Sequence, residues 1–266
     1  MRVKLKRLFV LFLVLVCTGG CSDTAGNQAR KYVKEGISFF NSGDCKGAKL
    51  SFEKALKKDP NIAAGYFYMA KCLVKENNNF QEALALIKKA YSFAKDEKEK
   101  KDFITFLITS GQDAGNKGDH EQAILFLNEC ATLNKKDSTA HLLLGNALLK
   151  RDKDVDLKAA ISAFKAAQKA SEDKDKVTAQ VREFLFKRAN DFIQKNDMYK
   201  ATRCYLAYTE NFNKQDAEAY LNLGRLMQQM GNPVGALYYA KKAYVLDPKN
   251  KAVIELMDDL NSPMQG

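Results

Sequence analysis

The chain of 266 residues contains no tryptophan, two histidines, four prolines and fifteen glycines. An all-β chain needs a turn signal, usually glycine or proline, about every ten residues, so this shortage argues against that class. Two histidines leave little material for metal binding or acid–base catalysis. Charged residues make up 28% of the chain and the mean hydropathy is −0.38, which excludes a protein with many membrane spans.

The first twenty residues carry a targeting pattern. Four basic residues precede an apolar run over residues 8–17, and the small residues 18–20 follow it. A basic start, a short apolar run and small residues before a cleavage point are typical of a secretory signal peptide. The run is shorter than the about 20 residues that a membrane span needs.

The small residues end in Cys21 and resemble the lipobox of bacterial lipoproteins, although Thr18 stands where leucine is usual. The resemblance implies cleavage after residue 20, lipidation of Cys21 and a tether over residues 21–28. Attachment of two or more acyl chains anchors a protein stably in a membrane. Ser22 points to a bacterial cell envelope location in the outer membrane, facing the periplasm, and the choice between inner and outer membrane stays open. The alternative is an ordinary signal peptide with a cysteine beyond its cleavage site.

The net charge of +11 falls to +7 when the four basic residues of the signal peptide are removed, since 39 basic residues then face 32 acidic ones. Lysine supplies 35 of the 43 basic residues and arginine only 8. Nucleic-acid readers favour arginine, so no nucleic-acid partner is expected. Scattered lysines indicate solvated helix faces, with an anionic membrane surface or an acidic partner as the alternative.

A small residue recurs along the chain at two positions of each repeat. The first set is Gly36, Ala70, Gly111, Gly145, Ala189 and Gly224. The second set is Ala48, Ala83, Ala123, Ala160, Ala201 and Ala236, with spacings of 35, 40, 37, 41 and 35 residues. Bulky residues follow at Phe52, Ile87, Leu127, Phe164 and Tyr205, and Ala240 is the exception. Antiparallel helices approach closely only where small residues face each other, so the pattern predicts paired helices.

This pattern resembles the tetratricopeptide repeat (TPR) family. The resemblance implies an all-α fold, a right-handed TPR α-solenoid with a C-terminal capping helix, which is non-catalytic and binds proteins. The predicted repeats cover about 29–62, 63–96, 104–137, 138–174, 182–215 and 217–250, and the capping helix and tail cover 251–266. Each repeat exposes an apolar face that the next one covers. A generic helical bundle is the alternative.

Candidate chemistry is sparse in this sequence. Cys45, Cys72, Cys130 and Cys204 have no metal-ligand or redox spacing, and pairing of Cys45 with Cys72 stays open. His120 is expected in a surface turn, and His141 in the core. We therefore predict no catalytic residue, metal site or cofactor.

In TPR arrays the first helix of each repeat lines an inner groove. Carried to this sequence, that resemblance predicts the groove residues Phe67, Lys71, Gln112, Asn146, Asn190 and Arg225. Polar side chains beside apolar ones suit an extended peptide or a partner helix. The sequence predicts a membrane-anchored, non-enzymatic scaffold or adaptor for an envelope assembly. Alternatives are a pilotin-like lipoprotein of type IV pilus or secretin assembly and, from another class, an exported small-ligand binder or hydrolase.

Overall fold

The computed structural model describes residues 25–77, 79–153 and 155–262. The predicted signal peptide and Cys21 lie outside these residues. Every regular element of the described chain is a helix, which confirms the predicted all-α class. The helices are α1 over residues 25–41, α2 Cys45–Lys58, α3 Ala63–Lys75, α4 Phe80–Phe93, α5 Glu97–Asn116, α6 His120–Leu133, α7 Ser138–Arg151, α8 Asp156–Ala170, α9 Lys174–Gln194, α10 Met198–Asn211, α11 Ala217–Gln229, α12 Pro233–Leu246 and α13 Lys251–Asn261.

The chain divides into two compact units, Met1–Thr109 and Ser110–Gly266, with the boundary inside α5. In the first unit, Phe52 is buried with Ala48, Cys45 and Cys72. The four described cysteines are buried and form no disulfide among the described residues, so Cys45 and Cys72 do not pair. The second unit has one continuous core from Ala114 to Leu256.

The small residues of the repeat pattern lie where helices of one hairpin touch. A Cβ atom added to Gly145 would lie 2.3 Å from the Phe164 ring, and one added to Gly36 would lie 2.5 Å from Phe52. No real side chain tolerates such distances, so glycine is required for the bulky residue to pack over the facing helix. The predicted steric reason for the pattern is therefore confirmed at these two hairpins.

The exception at Ala240 has a structural explanation in the last hairpin. A Cβ atom on Gly224 would lie 2.9 Å from Cδ2 of Leu256, which belongs to α13 rather than to α12. Leu256 is 4% exposed and belongs to the second unit's core. The final helix thus supplies the bulk that Ala240 lacks.

The long repeat spacings of 40 and 41 residues result from longer first helices. Helices α5 and α9 contain 20 and 21 residues, whereas α3, α7 and α11 contain 13 or 14. They begin at Glu97 and Lys174, ahead of the predicted repeat starts at 104 and 182. About seven extra residues add about two whole turns, so the same face still meets the partner helix. The spacing of 37 residues, from Ala123 to Ala160, instead arises in the turn after α7.

Most turns between the helices of a hairpin combine a left-handed residue with an acidic or amide cap, whereas Val155 precedes α8 without a side-chain cap. Gly43, Gly118 and Gly231 have φ values of 91°, 83° and 70°, the left-handed conformation that glycine commonly takes at helix C-termini. Asn196 takes the same conformation, with φ 59°, where no glycine is present. The side chain of the next residue, Asp197, accepts a hydrogen bond from the backbone N–H of Lys200 at the start of α10.

Candidate functional site

Two of the predicted groove residues, Gln112 and Asn146, lie together in the second unit. Both line a cleft of about 290 Å³ at the end of α5, beside α6 and α7. Small residues leave the space: Gly115 and Ala123 face each other, and a Cβ atom on Gly115 would still lie 3.7 Å from that of Ala123. The cleft is therefore open because of the repeat's small positions.

The cleft has mainly polar side chains around an apolar floor. Its lining residues are Gly111, Gln112, Asp113, Gly115, Asn116, His120, Ala123, Leu127, Leu143, Asn146, Ala147 and Lys150. Gln112, Asn116 and Asn146 each carry a side-chain amide with both hydrogen-bond donors and an acceptor. Such groups match the alternating N–H and C=O groups of an extended peptide backbone.

His120 contributes a titratable group that the sequence placed in a surface turn. It is the first residue of α6, is half-buried and lines the cleft, so that prediction was wrong. Burial, with a smaller effect of the Lys150 ammonium, lowers the pKa of His120. Its Nδ1 atom is buried without a hydrogen-bond partner among the described residues. His120 thus places an imidazole at the cleft, with its Nδ1 atom buried.

His141 also differs from its predicted core position. The side chain is half-buried, and its Nε2 atom lies 3.2 Å from the backbone oxygen of Lys135. This contact ties the start of α7 to the preceding turn. It places His141 in a structural role at the surface of the hairpin.

In the first unit, the predicted groove residues Phe67 and Lys71 form a closed cluster. The Lys71 Nζ atom lies 4.9 Å from the ring centroid of Tyr68, 5.1 Å from that of Phe40 and 5.4 Å from that of Phe67. Phe106 provides a fourth ring at 5.8 Å. These distances allow cation–π attraction, and burial lowers the pKa of the Lys71 ammonium.

Phe67 is held by aromatic contacts and has little surface to offer a partner. It is 8% exposed, and its ring centroid lies 4.5 Å from that of Phe103 and 5.4 Å from that of Phe106. Its predicted role in binding stays a prediction. The observed contacts give Phe67 a packing role.

The last two predicted groove residues have no part in the cleft. Asn190 Oδ1 accepts a hydrogen bond of 3.2 Å from the hydroxyl of Tyr205, which is 2% exposed. Arg225 is exposed on α11. Asn190 therefore satisfies a core hydroxyl, and its predicted role in binding is untested, as is that of Arg225.

An ionic cluster fixes the turn after α7. Arg188 Nη2 lies 2.9 Å from an Asp152 carboxylate oxygen, and Lys200 Nζ lies 3.5 Å from the same oxygen. The cluster borders a cavity of about 30 Å³, which has room for one or two water molecules. Arg188 Nε has no hydrogen-bond partner among the described residues, so a water there would satisfy it. We assign the cluster a structural role.

The described residues contain no group of three or more His, Cys, Asp or Glu side chains that could hold a metal ion. None of the described helices is both long and apolar enough to cross a membrane.

Comparison with known proteins supports the repeat class. Residues 33–98 match the model of the tetratricopeptide repeat family. A search of curated proteins finds no match for this chain. The fold and the family match thus indicate helical repeats, with residues 33–98 of the tetratricopeptide type.

Solved structures of several TPR proteins are similar to this chain. A structure from a functional characterization of Pseudomonas aeruginosa pilF has 19% identity and a TM-score of 0.34, covering 90% of this chain and 99% of that chain. The C-terminal part of a TPR repeat-containing protein from Cytophaga hutchinsonii has 18% identity and a TM-score of 0.41, with coverages of 87% and 88%. YrrB, described as a TPR protein with an unusual peptide-binding site, has 16% identity and a TM-score of 0.33, with coverages of 85% and 90%. Similarity at this level says nothing of what this chain binds.

Proposed function

We propose that this protein is a non-enzymatic adaptor that binds an extended segment of a partner protein in the cleft beside Gln112 and Asn146. The observation that carries the proposal is the cleft itself, which joins three side-chain amides over an apolar floor. Each residue of an extended peptide presents one backbone hydrogen-bond donor and one acceptor, and a side-chain amide can bind either group. Small floor residues leave room for a side chain of the strand.

The side chains that line the cleft favour peptide binding over catalysis. A catalytic site needs a nucleophile or general base with a positioned partner. His120 is the imidazole of the cleft, and its Nδ1 has no hydrogen-bond partner among the described residues. Drug-sized ligands prefer predominantly apolar pockets, whereas this lining is largely polar. The hydrolase and small-ligand alternatives thus have less support.

A photo-cross-linking amino acid at Gln112 tests the cleft in the native envelope. We expect one cross-linked protein from Gln112 and none from Lys165, which is exposed on α8 and does not line the cleft. The Gln112→Ala/Asn146→Ala double variant should lose that partner in co-purification, whereas Asn128→Ala, at an exposed amide of α6 outside the lining, should retain it. Retention by the double variant at normal stability contradicts the proposal.

The proposal places the adaptor at a bacterial membrane through a lipid on Cys21. The sequence pattern of residues 1–21 supports it, because a lipid-modified cysteine would follow the signal peptide directly. Metabolic labelling with a fatty-acid probe should mark the protein, and Cys21→Ser should remove the label. Cys17→Ser is the matched control, since Cys17 lies within the predicted signal peptide. Equal labelling of wild type and Cys21→Ser contradicts the anchor.

As an alternative process, we propose escort of an outer-membrane secretin, because a predicted lipidation site and predicted helical repeats occur in one chain. Deletion of the gene should then mislocalise the secretin. Expression of wild type should restore it, and the Gln112→Ala/Asn146→Ala variant should not. Normal secretin assembly in the deletion strain excludes this process while leaving the adaptor proposal intact.

A further inference from the structure

Helix α12 has an apolar outer face that the described chain leaves uncovered. Val234, Tyr238, Lys241 and Val245 are spaced four, three and four residues apart, so they share one face of the helix. Val234 and Val245 are each 79% exposed, and Tyr238 is 53% exposed. The stripe from Val234 to Val245 is about 16 Å long.

This exposure is concentrated on α12. Ten large hydrophobic residues are exposed in the described chain, and five of them lie on this helix: Val234, Tyr238, Tyr244, Val245 and Leu246. The opposite face is packed through Ala236, Ala240 and Ala243, each fully buried. A helix that is apolar on both faces is expected where a second partner covers the outer one.

The stripe borders a cleft that carries positive charge. The cleft has a volume of about 500 Å³ and is lined by Lys214, Tyr220, Tyr238, Lys241, Lys242, Val245 and Leu246. Its lining contains three ammonium groups and no carboxylate. The ion pairs of the described residues include none of these three lysines. Charge complementarity therefore favours an acidic occupant.

Tyr220 and Tyr238 line the cleft, and both rings contact Tyr239. Tyr220 and Tyr239 stack at 6.3 Å, and the edge of Tyr238 meets Tyr239 at 5.0 Å. Lys242 Nζ lies 4.6 Å from the Tyr238 centroid and 5.1 Å from that of Tyr220. Tyrosine is enriched at the centres of protein interfaces, because it buries a large rigid ring and keeps a polar tip.

We propose that an acidic amphipathic helix of a partner protein docks along α12, with its apolar side on Val234, Tyr238 and Val245 and its carboxylates toward Lys214, Lys241 and Lys242. A straight stripe about three turns long fits helix-on-helix packing. A concave cleft admits a protruding side chain, which a flat membrane surface does not provide. The surface is separate from the amide cleft, and neither proposal depends on the other.

A second copy of this chain is a poorer occupant. Helix α13 is acidic through Glu255, Asp258 and Asp259, but its apolar residues Val253 and Leu256 are buried in its own unit. It retains one large exposed hydrophobic residue, Ile254, at 38%. It cannot cover an apolar stripe of about three turns while it stays folded in place.

The test uses the full chain and a fluorescein-labelled helical peptide of about 15 residues, with leucine on one face and glutamate on the others. We expect saturable binding in fluorescence anisotropy. Val245→Ser and the Lys241→Glu/Lys242→Glu variant should each weaken binding by about tenfold or more. Tyr199→Ser, which alters a tyrosine 65% exposed on α10, should not change it.

Variant peptides, phospholipid vesicles and the oligomeric state of the chain distinguish the possible occupants of this surface. A probe with lysine in place of glutamate should fail to bind, and a probe with serine in place of leucine should bind about tenfold more weakly. Equal binding of the basic probe, or no binding of the acidic one, overturns the proposal. So does binding to vesicles of anionic phospholipid that Val245→Ser abolishes while the acidic probe does not bind. Concentration-dependent dimerisation that Lys241→Glu/Lys242→Glu abolishes would assign the face to a second copy and also overturn it.

Discussion

In the first unit Lys71 is enclosed by four aromatic rings, whereas in the second unit Gln112 and Asn146 border an open cleft of about 290 Å³. Both regions are built on the first helices of hairpins, and both contain predicted groove residues. The first region is filled by its own side chains. The second is kept open by glycine and alanine at the facing positions.

The difference shows that a repeat position does not fix what its side chain does. The neighbouring residues determine the role of the side chain, because a buried amide or ammonium group interacts with whichever partner lies within reach. In the aromatic cluster Lys71 faces rings, and burial lowers the pKa of its ammonium. In the cleft the amides keep hydrogen-bonding capacity for a ligand.

The largest expected difference in the free energy of unfolding is between variants of Phe67 and Gln112. Phe67→Ala should lower the free energy of unfolding by about 3–4 kcal/mol, because it removes a buried ring that packs on Phe103. Gln112→Ala should change the free energy of unfolding by less than about 0.5 kcal/mol, since the side chain is exposed. Urea unfolding followed by circular dichroism measures both. Equal losses would show that the aromatic cluster and the cleft are packed alike.

A second contrast lies within the cleft, between Gly111 and Gly115. A Cβ atom on Gly111 would lie 2.7 Å from Cγ of Leu127, so Gly111→Val should lower the free energy of unfolding by about 2–3 kcal/mol. Gly115→Ala has room at 3.7 Å and should raise it by up to about 1 kcal/mol through helix propensity. Thermal unfolding of the two variants is the check. A stable Gly111→Val protein would contradict the close approach of α5 and α6.

Two asparagines at equivalent repeat positions should respond differently. Asn190→Ala leaves the Tyr205 hydroxyl without its partner and should lower the free energy of unfolding by about 1–2 kcal/mol. Asn146→Ala should alter stability by less than about 0.5 kcal/mol and weaken capture of the partner instead. Chemical denaturation and co-purification separate the two effects. Loss of capture with unchanged stability in Asn190→Ala would move that residue into the binding surface.

The smallest expected effect is a pH dependence of the stability that arises from Lys71. Burial lowers the pKa of this ammonium below its ordinary value of 10.5, so the unfolded chain binds the proton more tightly than the folded one. Between the two pKa values the stability of the wild type should therefore rise with pH relative to Lys71→Met. Unfolding measured at several alkaline pH values gives the difference. A Lys71→Met curve that runs parallel to the wild-type curve would contradict the burial of the charge.

Helix pairing could be predicted from local residues, because close approach leaves a direct mark in the sequence. Gly36 and Gly145 mark the contacts, and Phe52 and Phe164 are the side chains that fill them. The position of His120 could not be predicted, because its burial depends on the space left by Gly115 and Ala147 on other helices. The cap residue Asp119 could have indicated where α6 begins. It places His120 at the first position of α6, after the cap Asp119.

The sequence by itself determined the all-α class, the paired helices and the turns at Gly43, Gly118 and Gly231, because these depend on spacing and on local backbone chemistry. Tertiary structure alone decided that the long spacings become extra turns of α5 and α9, and that Leu256 replaces the missing bulk at Ala240. It also decided which polar side chains keep free hydrogen-bonding groups and that α12 shows an apolar outer face. The reason is physical: exposure and unused hydrogen bonds belong to the contacts between helices, and no single segment contains them.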